Sequence, residues 1–174
     1  MRVKVLETER LILRHLSPEQ DAEFMLELLN EPAFIKNIAD RGVRTTEESR
    51  QYLASGPLAS YEQNGFGMYA VELKESGVPV GVCGLVKREG LEHVDIGYAF
   101  LERHWGRGYA YESASAVLDY GRDVLGLERI VAITAPDNRG SIRVLEKIGL
   151  RFEKMITLPG YEGESRLFGL PGQP

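Results

Sequence analysis

Cysteine is almost missing from this chain of 174 residues: Cys83 stands alone, so no internal disulfide can form. The three histidines, His15, His93 and His104, are scattered and make no metal-ligand spacing, which argues against a zinc site. A single cysteine suits a reducing compartment. An excess of positive charge is also lacking. With 26 acidic against 21 basic residues the formal charge is -5, the wrong sign for a domain that gains affinity from many phosphates along a duplex, so DNA is not an expected partner. Long apolar runs are absent too. The most apolar stretch, over 78–86, is interrupted by Pro79, Gly81 and Gly84 and falls far short of the ~20 residues that span a bilayer, so no membrane span is expected. Arg2, Lys4, Glu7, Glu9 and Arg10 leave no apolar core for a secretory signal, and the expected location is the cytoplasm.

What remains is ordinary globular composition, 43% hydrophobic and 27% charged, in a chain long enough for one domain spanning 1–174. A chain of this size hides roughly 70% of the surface its unfolded form exposes and needs no metal or disulfide to fold. The segment over 9–15 alternates like a strand and stops at Ser17-Pro18. Ser17, Pro18 and Gln20 then supply an N-cap, a first-turn proline and a capping-box partner for a helix carrying Ala22, Met25, Leu28 and Leu29 on one face and ending near Asn30. A loop rich in turn formers follows over 31–45. Thr45 and Glu48 make a second capping box, which predicts a helix running to Asn64-Gly65.

Three segments enriched in β-branched and aromatic residues, over 66–73, 79–87 and 92–101, predict consecutive antiparallel strands. From Gly106 the period becomes helical, with Ala110, Ala114, Val117, Gly121 and Leu125 on one stripe up to Gly126. A strand over 129–134, a helix over 138–148 and two closing strands over 152–158 and 165–170 complete the chain. The expected order is β-α-α-β-β-β-α-β-α-β-β, an α/β (α+β) fold whose central mixed, mostly antiparallel sheet has about seven strands.

The chemistry concentrates in Asp95-Ile-Gly-Tyr-Ala-Phe-Leu-Glu-Arg-His-Trp-Gly-Arg-Gly-Tyr-Ala110, a strand that enters a helix through a basic, glycine-containing turn. The first amides of a helix lack internal partners and sit at the positive end of its dipole, and Gly106 and Gly108 let a ligand approach the backbone. Arg103 and Arg107 add local positive charge, which suits a multiply phosphorylated small molecule. A dinucleotide fingerprint would need glycine where Tyr111 stands, and no Gly-Lys-Ser/Thr phosphate loop occurs.

In order and spacing, Leu6-Glu-Thr-Glu-Arg-Leu-Ile-Leu-Arg14, Asp95-Ile-Gly-Tyr98, Trp105-Gly-Arg-Gly-Tyr-Ala-Tyr-Glu112, Asn138-Arg-Gly-Ser141 and Glu146-Lys-Ile-Gly149 closely resemble the GNAT superfamily of N-acetyltransferases, in particular its RimJ/RimL-like branch of ribosomal-protein N-terminal acetyltransferases. The resemblance covers nearly the whole chain and implies a GNAT-like fold and acetyl-CoA as co-substrate, without a metal. It implies that Arg107, Gly108, Tyr109 and Ala110 bind the CoA pyrophosphate through backbone amides, with Arg103, Trp105 and Gly106 as further cofactor-binding candidates. It also implies that backbone groups of Tyr98, Ala99, Phe100 and Leu101 pair with the pantetheine arm and polarise the thioester, and that Asn138 contacts that arm. Trp105 replaces the Gln or Arg common in the family. Leu145 stands where many relatives carry a tyrosine acid, so Ser141, on the same helix as Asn138, becomes the candidate donor to the leaving sulfur. Asp95 matches the strand position of a carboxylate base, and His93, two residues away on the same face, is a second candidate, each able to act through water. Phe34 and Ile35 from the 31–45 loop, and Tyr161 from the turn over 159–164, are candidates to line the acceptor site.

An amine attacks only when unprotonated. At pH 7 an α-amine of pKa about 7.8 is neutral in roughly one molecule in seven, and a lysine of pKa about 10.4 in roughly one in 2,500. An N-terminal acceptor therefore asks less of the base. The leading expectation is direct transfer of acetyl from acetyl-CoA to a protein N-terminal α-amine. The alternatives are a small amine such as a polyamine, amino acid or aminoglycoside, or an acyl-CoA-binding module without turnover. Apolar strands near the carboxyl terminus are candidates for a homodimer interface.

Overall fold

The strand expected over 9–15 is β2 (Leu11–His15), and an unexpected β1 (Lys4–Glu7) precedes it and pairs with it as a hairpin in the computed structural model, which describes residues 2–171. The charges of β1 mask its periodicity because it is an edge strand, and exposed charge on an edge discourages pairing with another chain. Eight strands result instead of seven.

Helix α1 (Pro18–Leu29) starts as its caps dictate, with the Ser17 hydroxyl accepting the Gln20 N–H at 3.3 Å and Ala22, Met25, Leu28 and Leu29 buried. A short α2 (Pro32–Asn37) interrupts the expected loop: Pro32 takes the first helical position and Phe34 anchors the turn in the core. The expected long helix after Thr45 is broken into α3 (Thr46–Leu53), a wide turn (Ala54–Leu58) and α4 (Ala59–Asn64). Pro57 is the cause: it offers no N–H and its ring would strike the carbonyl four residues back, so the backbone widens there.

Strands β3 (Met68–Leu73), β4 (Pro79–Val86) and β5 (Val94–Phe100) follow as an antiparallel run, and α5 (Tyr109–Asp123) crosses over to β6 (Ile130–Thr134). Then come α6 (Arg139–Lys147), β7 (Arg151–Thr157) and β8 (Glu164–Gly169), giving the order β1-β2-β3-β4-β5-β6-β8-β7. Every neighbouring pair is antiparallel except β5–β6.

Alternation along the strands divides the core between two faces. Tyr69, Val71, Cys83, Leu85, Val94 and Ile96 pack with Ala114 and Val117 of α5 and Leu145 of α6. Ala70, Val82 and Leu101 pack with Met25, Leu28, Leu29 and Leu53 from α1 and α3. The small stripe of α5 permits its close seat on the sheet: a Cβ on Gly121 would stand 2.7 Å from the Ile130 Cδ1. The feature that positions the site is the parallel pair. Strands β5 and β6 are paired only at Val94↔Ile130 and Asp95↔Val131, and beyond that point they part.

Candidate active site

The parting of β5 and β6 opens a cleft of ≈ 1500 Å³ that runs past Asp95, Tyr98, the turn before α5 and the start of α6. Its floor is the free side of β5. The Leu101 N–H donates to the Val80 carbonyl at 3.0 Å, and with Ala99 opposite Val82 the alternation turns the backbone of Ala99 and Leu101 toward β4. Tyr98 and Phe100 therefore present their backbone groups to the cleft, where the Trp105 indole N–H already holds the Phe100 carbonyl at 2.8 Å. Ala99 and Leu101, both expected to offer backbone groups to pantetheine, are corrected by this register: their backbones face β4, so Ala99 borders the cleft by its side chain alone and Leu101 is fully buried.

Helix α5 begins at Tyr109, three residues later than the pattern implied, because Gly106 and Gly108 take φ of +77° and +83°. The first helical hydrogen bond runs from Glu112 N–H to the Gly108 carbonyl (3.0 Å), which leaves the amides of Gly108, Tyr109, Ala110 and Tyr111 without protein acceptors among the described residues. Gly106, Gly108, Tyr109, Ala110 and Trp105 line the cleft. Arg103 does not: it forms an ion pair with Glu27 of α1, and neither it nor the Arg107 side chain reaches the cleft wall.

At the mouth of the strand gap, Asp95 is fully buried. Arg88 Nε donates to its Oδ2 at 3.1 Å, and the same guanidinium donates to the Tyr161 hydroxyl and lies 5.5 Å from that ring's centroid. Burial pushes the Asp95 carboxyl above its ordinary range, with the Arg88 charge and hydrogen bond acting against it. Asp95 Oδ1 and, on β6, Thr134 Oγ1 are buried without any hydrogen-bond partner among the described residues, and both residues line the cleft. Buried polar atoms in native folds are nearly always satisfied, so these two are exceptions, one on each face of the sheet where β5 and β6 part.

On the opposite wall Asn138 caps α6, its Oδ1 accepting the Ser141 N–H at 3.3 Å. The Tyr98 hydroxyl meets both the Ser141 carbonyl and the Ser141 hydroxyl at 3.0 Å. Burial raises the Tyr98 phenol well above its usual value, opposed by the bond to Ser141, so it stays a donor. Strand alternation puts Asp95 on the α1 face of β5, with Ala99 and Leu101, and Tyr98 on the α5 face, with Ile96 and Phe100. The buried carboxylate and the hydroxyl pair thus flank β5 from its two faces.

The chain matches the family of acetyltransferase (GNAT) domains over residues 10–151. It is a GNAT acetyltransferase. Among curated proteins it is 34% identical to the uncharacterised protein YkkB of Bacillus subtilis, over 87% of each chain. Among solved structures, the acetyltransferase (GNAT family) from Bacillus anthracis has a TM-score of 0.78 at 29% identity, covering 98% of each chain. RimL, a ribosomal L7/L12 alpha-N-protein acetyltransferase solved with coenzyme A, shares the fold with a TM-score of 0.81 at 18% identity, over 95% of this chain and 96% of that one.

Within this GNAT domain, Phe34, Ile35 and Tyr161 border the same cleft as Asp95, although Phe34 is almost wholly buried under α1. His93 does not join them. It precedes β5, its side chain is partly exposed with Glu92 at 3.8 Å, and it is absent from the cleft wall. Four residues of the wall escape the sequence reading. Arg88 lies in a charged turn with no motif of its own, and Thr134 ends a plain apolar strand. Arg143 and Lys147 are four apart on α6, a spacing that puts both on one helical face, and Lys147 lies 4.6 Å from the Tyr111 ring centroid.

Proposed function

We propose that this enzyme transfers acetyl from acetyl-CoA directly to a primary amine in the β5/β6 cleft, and that the acceptor is the α-amine of a protein N terminus, as in the RimJ/RimL-like branch. The observation that carries the reading is the buried Asp95 carboxylate, with one oxygen on Arg88 and the other unsatisfied beside the cleft. The free amides of Gly108 to Tyr111 suit the pyrophosphate of CoA, and Arg143 and Lys147 add charge near the nucleotide end. The Tyr98 amide and carbonyl at the open edge of β5 suit the amide groups of a pantetheine arm.

Asp95 takes a proton from the amine, directly or through water, as the C–N bond forms. The Ser141 hydroxyl, oriented by Tyr98, donates a hydrogen bond to the departing sulfur as the C–S bond breaks. A thiol of pKa about 8.5 is a fair leaving group, so a hydroxyl suffices where many relatives use tyrosine. Arg88 restrains the basicity that burial gives Asp95, and a modest base matches an α-amine better than a lysine. Direct transfer follows from the absence of an activated nucleophile: the Cys83 thiol is buried and pushed up to about 12 by its burial. We place this chemistry in the cytoplasm, in keeping with that unpaired thiol; among the described residues no helix is long and apolar enough to cross a membrane.

Thiol release from acetyl-CoA, measured against N-terminal peptides, polyamines, amino acids and an amine-free control, tests the proposal. Peptide-dependent release supports it. Release only with small amines transfers the assignment to metabolite or drug modification, and tight acetyl-CoA binding without release in any well leaves a non-catalytic binding module.

A further inference from the structure

One motif of the sequence has no role in the chemistry above, Leu6-Glu-Thr-Glu-Arg-Leu-Ile-Leu-Arg14. Its central arginine sits behind the turn that precedes α5. Arg10 NH1 donates to the Arg107 carbonyl at 2.8 Å, and its Nε donates to Glu112 Oε1 at 2.7 Å. The other Glu112 oxygen accepts the Arg10 backbone N–H at 2.9 Å and the Thr8 hydroxyl at 2.6 Å. The guanidinium also stands 4.7 Å from the Tyr109 ring centroid, and a Cβ on Gly108 would approach Arg10 NH2 to 3.3 Å. Five contacts from the β1–β2 hairpin thus converge on a few residues of one turn, across about a hundred positions of sequence.

The consequence follows from the geometry of one peptide unit. In a planar trans peptide the C=O of residue 107 and the N–H of residue 108 point in opposite directions, so fixing one fixes the other. Arg10 lies outside the cleft and holds the Arg107 carbonyl outward, which turns the Gly108 N–H inward. Gly106 and Gly108 would otherwise let this turn sample many orientations, because glycine restricts neither φ nor ψ strongly. The tether removes that freedom before any ligand arrives, and a preorganised site binds more tightly than one that must order itself.

We propose that Arg10 is a positioning residue for the anion-binding turn, aiming the Gly108 amide and its successors at a diphosphate. The inference rests on the proposed use of acetyl-CoA and assigns to Arg10 no contact with the reacting atoms.

The test is calorimetric binding of CoA and of pantetheine, which lacks the diphosphate, to the wild-type protein and to Arg10→Gln and Arg10→Lys. It needs no acceptor amine. We expect Arg10→Gln to weaken CoA binding by about tenfold, the scale of one hydrogen bond to a charged group, while pantetheine binding stays within about twofold. Arg10→Lys keeps the charge but lacks the fork that bridges Glu112 and the Arg107 carbonyl, so it should recover less than half of the loss in binding free energy. If wild type prefers CoA and Arg10→Gln keeps that preference, or if both ligands weaken equally, the role of Arg10 is wrong while the diphosphate site stands. A wild-type protein that does not distinguish CoA from pantetheine removes the site and the inference together.

Discussion

The Tyr98 hydroxyl lies 3.0 Å from the Ser141 hydroxyl, joining β5 to the first turn of α6 on the wall of the cleft. The Tyr98 hydroxyl donates its one proton to the Ser141 carbonyl, so the Ser141 hydroxyl donates to the Tyr98 oxygen and turns to a departing sulfur only when one is present; Leu145, at the position of the missing tyrosine, is buried in the core. Replacing Ser141 by Ala should lower kcat about 10- to 100-fold with little change in the KM for acetyl-CoA. Tyr98→Phe should lower it less. Because the two hydroxyls act as a unit, the double variant should be no worse than Ser141→Ala alone; additive losses in kcat would separate their roles.

Asp95→Asn should reduce kcat by about 100- to 10,000-fold, the range of a positioned base. Its pKa is raised, so the acid form is the inactive one and activity should climb with pH through a limb lying above the ordinary carboxylate range. Arg88→Gln removes the charge that opposes this rise and should move the limb further to alkaline pH. A pH–rate profile of kcat/KM for both proteins checks the direction.

The same raised pKa has a stability consequence of opposite sign to the usual carboxylate. The folded chain holds the Asp95 proton more tightly than the unfolded chain, so the group's contribution is most favourable at low pH and is lost as pH rises from the ordinary value through the raised one. Asp95→Asn should therefore raise the midpoint of thermal unfolding at neutral pH while it slows turnover. A lowered midpoint would mean that the Arg88 pair outweighs burial.

Arg14 is a different case. Its buried guanidinium bridges Asp21 at 2.9 Å through two nitrogens and Glu72 at 2.9 Å through Nε. Arg14→Met leaves the buried Asp21 with only the Ser17 N–H and the buried Glu72 with only Arg2, and should cost about 3–5 kcal/mol in urea unfolding, without altering KM in the fraction that remains folded.

What the sequence revealed was local. Ser17, Thr45 and Asn138 cap helices within three residues of the amides they hold, and the glycines of the turn before α5 mark positive φ where they stand. What it concealed was long-range pairing. Arg103 reads as a free cation until the fold brings Glu27, 76 positions away, against it. The reach of Tyr98 to Ser141 spans 43 positions and depends on where β5 and β6 part. His93 fits the strand period on paper, but β5 begins one residue too late to include it.

The central claim is that an amine receives acetyl directly in the cleft beside Asp95. Intact-mass spectrometry of enzyme and N-terminal peptide, sampled during turnover with acetyl-CoA, tests it most directly. The account predicts acetyl on the peptide α-amine, unmodified enzyme at every time point, and acetylated peptide formed at least about 100-fold more slowly with Asp95→Asn. Acetyl carried on an enzyme side chain before it reaches the peptide, or full activity without the Asp95 carboxylate, would contradict it.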